Sequence, residues 1–148
     1  MKETLATFFY DYFIKFNIPE TAALYLNLLT MITVLLIVLY VIDRITRRIL
    51  ISVFTRFSGT TKTNFDDILL SHKVPRNLAH IIPFVIAIRF IPVVFYHFED
   101  AEAFFIKSLL VLGIIMVLWI VRSLLQSLNS YFKTLPKLRD KPIDSYIQ

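Results

Sequence analysis

Cysteine is absent from these 148 residues, glycine occurs twice, and only 18% of positions are charged. Without cysteine there is no disulfide framework and no thiolate zinc module. Two glycines exclude the glycine-rich loops that let backbone approach a phosphate closely. A soluble domain carries roughly a quarter charged residues, and a disordered chain is poor in aromatics. This chain is 57% hydrophobic and 15% aromatic. The composition is that of an integral membrane protein with no cofactor.

Three apolar stretches carry that reading. Thr21 to Ile42 is 22 residues without a charge, which at 1.5 Å per residue reaches about 33 Å and covers a hydrocarbon core of about 30 Å. It is longer than a secretory h-region and is followed by Asp43, Arg44, Arg47 and Arg48 rather than a cleavage site, so it reads as an uncleaved first span. The second span, 77–98, is interrupted by His80, Pro83, Arg89, Pro92 and His97. The third starts at Ala103 and closes at Arg122, with Lys107 able to snorkel outward.

The net charge of +5 is unevenly placed. Residues 1–20 hold two Lys/Arg against three acids, and 97–102 hold none against three. By contrast, 43–76 holds seven Lys/Arg against three acids, and the tail from Arg122 holds five against two. Basic residues collect on the cytoplasmic side. Three spans then put the N-terminus outside and the C-terminus in the cytoplasm, and the basic excess is a topology signal rather than a nucleic-acid footprint.

The expected fold is all-α: three transmembrane helices with helical cytoplasmic extensions and a short helical hairpin loop. Leu5, Phe8, Phe9, Tyr12, Phe13 and Phe16 share one helical face, so 1–20 reads as an outer interfacial amphipathic helix ended by Pro19. The same stripe suits packing against a partner subunit equally well. The first helix continues through 21–57 into the cytoplasm and stops near Gly59. Residues 58–76 form a cytoplasmic loop with a short helix over Phe65–Ser71, 77–98 the second span, and 99–102 an outer turn. Residues 103–135 form the third span with its extension, stopped by Pro136, and 136–148 a linker.

Few residues invite chemistry. His72, His80 and His97 lack any accompanying metal-ligand spacing, and Ser108, Ser123, Ser127 and Ser130 have no recognisable His and Asp with them. Asp66 and Asp67 are consecutive, so on a helix they point about 100° apart and do not converge on one atom. No enzyme is expected. Arg89 is the most informative charge, because a basic side chain at span centre costs about 2.5–3.5 kcal/mol on insertion scales. It either anchors a headgroup or salt bridge that changes with membrane state, or it snorkels or pairs structurally inside the bundle. Pro83 and Pro92 are expected to weaken or kink the second helix, as a movable or a static bend. Gly113 has no GxxxG partner, and glycine and alanine are too sparse in the spans for close helix approach around a pore.

Two stretches resemble a known family. The segment TKTNFDDILLSHKVPRNLAHIIP, Thr61 to Pro83, has a lysine-bearing turn, an aromatic, Asp66-Asp67 and then Arg76 and Leu78-Ala79-His80 ahead of a proline. It is similar to the cytoplasmic loop and second-span entry of miniconductance-type members of the MscS-like mechanosensitive channels. The tail NSYFKTLPKLRDKPIDSYIQ resembles the linker preceding that family's pore-forming half, with Lys141, Pro142 and Tyr146 in its most recognisable part. The resemblance implies two further helices, the last one lining the pore, then a cytoplasmic vestibule, in a homo-oligomer that is commonly a heptamer. None of these lies within the 148 residues. The chain is therefore expected to be the lipid-facing, tension-sensing N-terminal membrane domain of a channel for osmotic pressure release in a bacterial inner membrane. Its partners would be membrane lipids and its own pore domain. Arg44, Arg47, Arg48 and Arg56 would hold the first span at a set depth against anionic lipid. The competing expectation is a small membrane scaffold or accessory subunit of a transporter complex.

Overall fold

The computed structural model describes residues 2–58 and 65–134. Their regular structure is entirely helical: α1 (Lys2–Ala6), α2 (Phe8–Lys15), α3 (Glu20–Ser58), α4 (Phe65–Ser71), α5 (Val74–Ala79), α6 (Ile81–Val94) and α7 (Glu99–Thr134). Three segments are long and apolar enough to cross a membrane: Glu20–Arg56, Val74–Val94 and Glu99–Thr134. At 1.5 Å per residue the first and third exceed 50 Å, well beyond the ~30 Å that a crossing needs. Tyr40 and Leu36 on α3 and Trp119 and Leu118 on α7 are all exposed. Thr30, Thr33, Thr55 and Ser108 return their hydroxyls to the carbonyl four residues back at 2.8 Å, which satisfies a polar group without water.

The described residues pack as two compact units. The first takes the chain up to Ile42 and from Ile82 to Gly113. Its core is Ile91, Val94 and Phe95, against which Leu28, Met31, Ile32 and Leu35 pack at helical spacing. Phe95 stacks on Phe105 with centroids 4.6 Å apart. Ala6 and Ala23 are almost fully buried, small side chains that let α1 approach α3. The second unit takes Asp43 to Ile81 and the chain from Ile114 onward. Its buried residues include Leu69, Val74, Pro75, Ala79, Ile120 and Ser127.

Several boundaries differ from the sequence reading, each for a local reason. The expected single interfacial helix within 1–20 is two helices, bent at Thr7. There the Ala6 carbonyl accepts a 2.9 Å hydrogen bond from the Asn27 side-chain amide, a partner the helical pattern does not contain. Nor does Pro19 end α2. Asn17 takes the left-handed conformation at φ 56°, and the N–H groups of Asn17 and Ile18 donate to the carbonyls of Ile14 and Phe13. This is a Schellman stop, at which asparagine is the usual substitute for glycine.

The second span starts earlier, at Val74, and is divided at His80. Pro83 lacks the N–H that would bond the Ala79 carbonyl, and its ring crowds that oxygen. The break falls there. Pro92 lies inside α6 without ending it. The expected outer turn over 99–102 is the first turn of α7, and the turn lies just before it, where Phe98 N–H bonds the Phe95 carbonyl. Glu99, Asp100 and Glu102 suit a helix start because carboxylates favour the positive end of the helix dipole. The helix read over Phe65–Ser71 is present with those bounds.

Candidate functional site

The polar side chains that converge do so in the second unit. α3 carries Asp43 and Arg47 one turn apart, so their side chains meet, and an Arg47 Nη donates to Asp43 Oδ2 at 2.5 Å. His80, at the break before α6, places Nδ1 2.8 Å from Asp43 Oδ1. That contact has the distance of an ion pair without hydrogen-bond alignment. Asp43 Oδ1 and Arg47 Nε have no hydrogen-bond partner among the described residues. One carboxylate thus faces two potential cations and ties α3 to the second span. Its side chain is 18% exposed, so the attraction is screened less than at an open surface.

Arg44, Arg48 and Arg56 are exposed on α3. Arg44, Arg47 and Arg48 line a shallow groove of about 430 Å³ together with Ile45, Ile49 and Ile51. The four arginines are therefore not equivalent. Arg47 is half-buried and pairs with Asp43, whereas Arg44 and Arg48 are exposed beside apolar side chains.

A second convergence lies between α7 and the α4–α5 junction. Lys73 is left-handed, with φ 59°, and turns the chain sharply after α4. The His72 carbonyl accepts from Ser123 Oγ at 2.7 Å, and His72 Nε2 lies 2.7 Å from Ser130 Oγ. Ser127, fully buried between them on the same helical face, bonds back to the Ser123 carbonyl. The sequence reading found no histidine for these serines. Spacings of four and three along α7 did mark one polar face, but nothing local connects it to His72, 51 and 58 residues earlier. His72 has no ion pair with a described carboxylate. The pair fastens two elements and lacks the third group that orients an imidazole for nucleophile activation.

The other expected site residues are dispersed. Asp67 accepts a hydrogen bond from Ser58 Oγ, bridging the ends of α3 and α4. Asp66 falls in α4, and its side chain lies outside what is described. Arg76 is exposed in the last turn of α5. Lys141, Pro142 and Tyr146 lie outside the described residues. Arg89 is exposed on α6 and makes no hydrogen bond or ion pair with any described residue.

In the first unit, Gly113 on α7 is a slot for a ring on α6. A Cβ there would fall 2.7 Å from Phe84 Cζ, so the missing GxxxG partner is a phenylalanine rather than a second glycine. Asn27, 4% exposed, anchors Ala6 while its own Oδ1 has no partner among the described residues. Comparison with known protein families, curated proteins and solved structures finds no match.

Proposed function

We propose that this chain is the lipid-facing, tension-sensing membrane domain of a mechanosensitive channel of the MscS-like miniconductance type, acting in osmotic pressure release from a bacterial inner membrane. The observation that carries the reading is bare apolar surface. Only 11% of the most apolar stretch of Glu20–Arg56, and 11% of that of Glu99–Thr134, is buried by the chain itself. Helices so uncovered require lipid or another apolar surface around them. Bilayer tension acts on a protein through that contact, because a change in thickness or footprint shifts a population only where it interacts differently with two states.

The charge asymmetry supports an outer N-terminus and cytoplasmic extensions of the first and third helices. In that orientation Arg44 and Arg48 lie at the anionic inner leaflet, each worth about 1 kcal/mol there. The segment resembling the family's linker would lead into the chain's own pore helices, which assemble as a homo-oligomer in that family. The break at His80 is where the second span can change direction while the Asp43 contact holds α3 to it.

Replacing Arg44, Arg48 and Arg56 together by glutamine in the full-length protein tests the assignment. Patch-clamp recording is expected to show a shifted tension threshold with unit conductance unchanged. An unchanged threshold removes these arginines from tension sensing. The scaffold or accessory-subunit reading draws on one observation, the exposed Arg89, unpaired among the described residues.

A further inference from the structure

Arg89 is the only charged residue in α6, whose other thirteen positions are apolar or proline. It stands about 7.5 Å from the Val94 end of the second span and about 22 Å from the Val74 end. A helical Cα–Cβ bond leans towards the helix N-terminus. The side chain therefore starts out away from the nearer end and towards the span's interior, and snorkelling to the nearer boundary would require it to double back. Its charge has no counterpart among the described residues, and the stretches 21–42, 77–98 and 103–121 contain no acid; Glu20, Asp43, Glu99, Asp100 and Glu102 belong to the same helices but lie outside those stretches.

The surroundings of Arg89 are those of a helix-docking face. Ile82 and Val85, at 48% and 51% exposure, share its stripe at i−7 and i−4, while Ala87, Ile91 and Val94 on other faces are buried. A second copy of these spans would bring apolar surface to the stripe, with its acids only beyond the ends of the apolar stretches. A lipid phosphate sits at the headgroup level, against the lean of the side chain.

We propose that the Ile82–Val85–Arg89 stripe docks a transmembrane helix, not one of these three spans, that presents a carboxylate inside the hydrocarbon region. The bidentate fork of arginine fits a carboxylate, and in hydrocarbon each charge removes the cost of burying the other. This interaction surface rests on the membrane-spanning reading and not on the channel assignment.

The test uses the chain, labelled with a donor fluorophore, in phosphatidylcholine vesicles. The probes are acceptor-labelled, leucine-rich transmembrane peptides carrying one central Glu or, as control, Leu. The Glu peptide is expected to associate about tenfold more tightly than the Leu peptide. Arg89→Gln should reduce it to the Leu level, Arg89→Lys should retain part of the preference, and Arg89→Glu should transfer it to a peptide with a central Lys. Equal association of Glu and Leu peptides with the wild-type chain overturns the proposal, as does an Arg89→Gln chain that keeps the preference. Loss of the preference when phosphatidylglycerol is added assigns Arg89 to lipid phosphate and also overturns it. A carbonate wash separates the two levels of failure. A chain washed off the vesicles refutes the membrane reading itself, whereas a retained chain without peptide preference refutes only the docking face.

Discussion

The two units of this protein are held together by different kinds of contact. The first relies on interdigitated apolar side chains, Ile91, Val94 and Phe95 against one face of α3, with one buried side-chain amide bonding Ala6. The second is stitched by polar groups: Asp43 with Arg47 and His80, His72 with Ser123 and Ser130, and Ser58 with Asp67. Lipid is as apolar as leucine, so within it helices gain from close packing and lose heavily from unpaired polar groups. Where water and headgroups compete, ion pairs and hydroxyl bonds are affordable and give positional specificity.

The comparison can be broken from either side. The largest effect is expected in the apolar unit from Gly113→Leu, which drives a branched side chain into the Phe84 ring. Overpacking of this kind costs about 3 kcal/mol, read as a lowered midpoint in denaturant titration in detergent micelles. Gly113→Leu combined with Phe84→Ala should recover most of that loss. In the polar unit, Asp43→Ala leaves Arg47 and His80 facing each other without their carboxylate. Because the pair is only partly buried, the expected loss is about 2 kcal/mol, measured in the same titration. Equal tolerance of Asp43→Ala and of an exposed change such as Arg76→Ala would remove the carboxylate as the link between α3 and the second span.

Smaller effects sharpen the contrast. Asn27→Ala removes the buried bond to the Ala6 carbonyl at about 1 kcal/mol, and is expected to free α1 first, visible as faster amide hydrogen exchange in residues 2–15 and not in α6. Ser130→Ala loses one half-buried bond to His72, about 0.5–1 kcal/mol. Its signature is faster exchange at the α4–α5 junction, with the first unit unaffected.

Periodicity and charge made much of this legible. The three apolar runs, the helix over Phe65–Ser71 and the long continuation of the third span follow from composition and spacing that each segment carries within itself. What escaped depends on distant partners. The bend at Thr7 is set by Asn27, which an amphipathic stripe cannot reveal. The start of α7 at Glu99 was readable from its acids, but the same acids also suit an exposed turn. The site was less legible than the fold. His80, taken from a motif in the loop, and Arg47, taken from a basic cluster, meet on Asp43, a residue read only as part of a stop-transfer signal. Ser123 and Ser130 found their partner through the left-handed turn at Lys73, a backbone feature with no side-chain pattern to announce it.

The most direct test is accessibility of single cysteines to a membrane-impermeant maleimide in sealed vesicles, a clean experiment because the chain has no cysteine of its own. Cysteines at Lys15 and Ala101 are expected to react from one face of the membrane, and cysteines at Ser71 and Lys133 only from the other. Reaction of Ala101 and Ser71 from the same face would contradict three crossings.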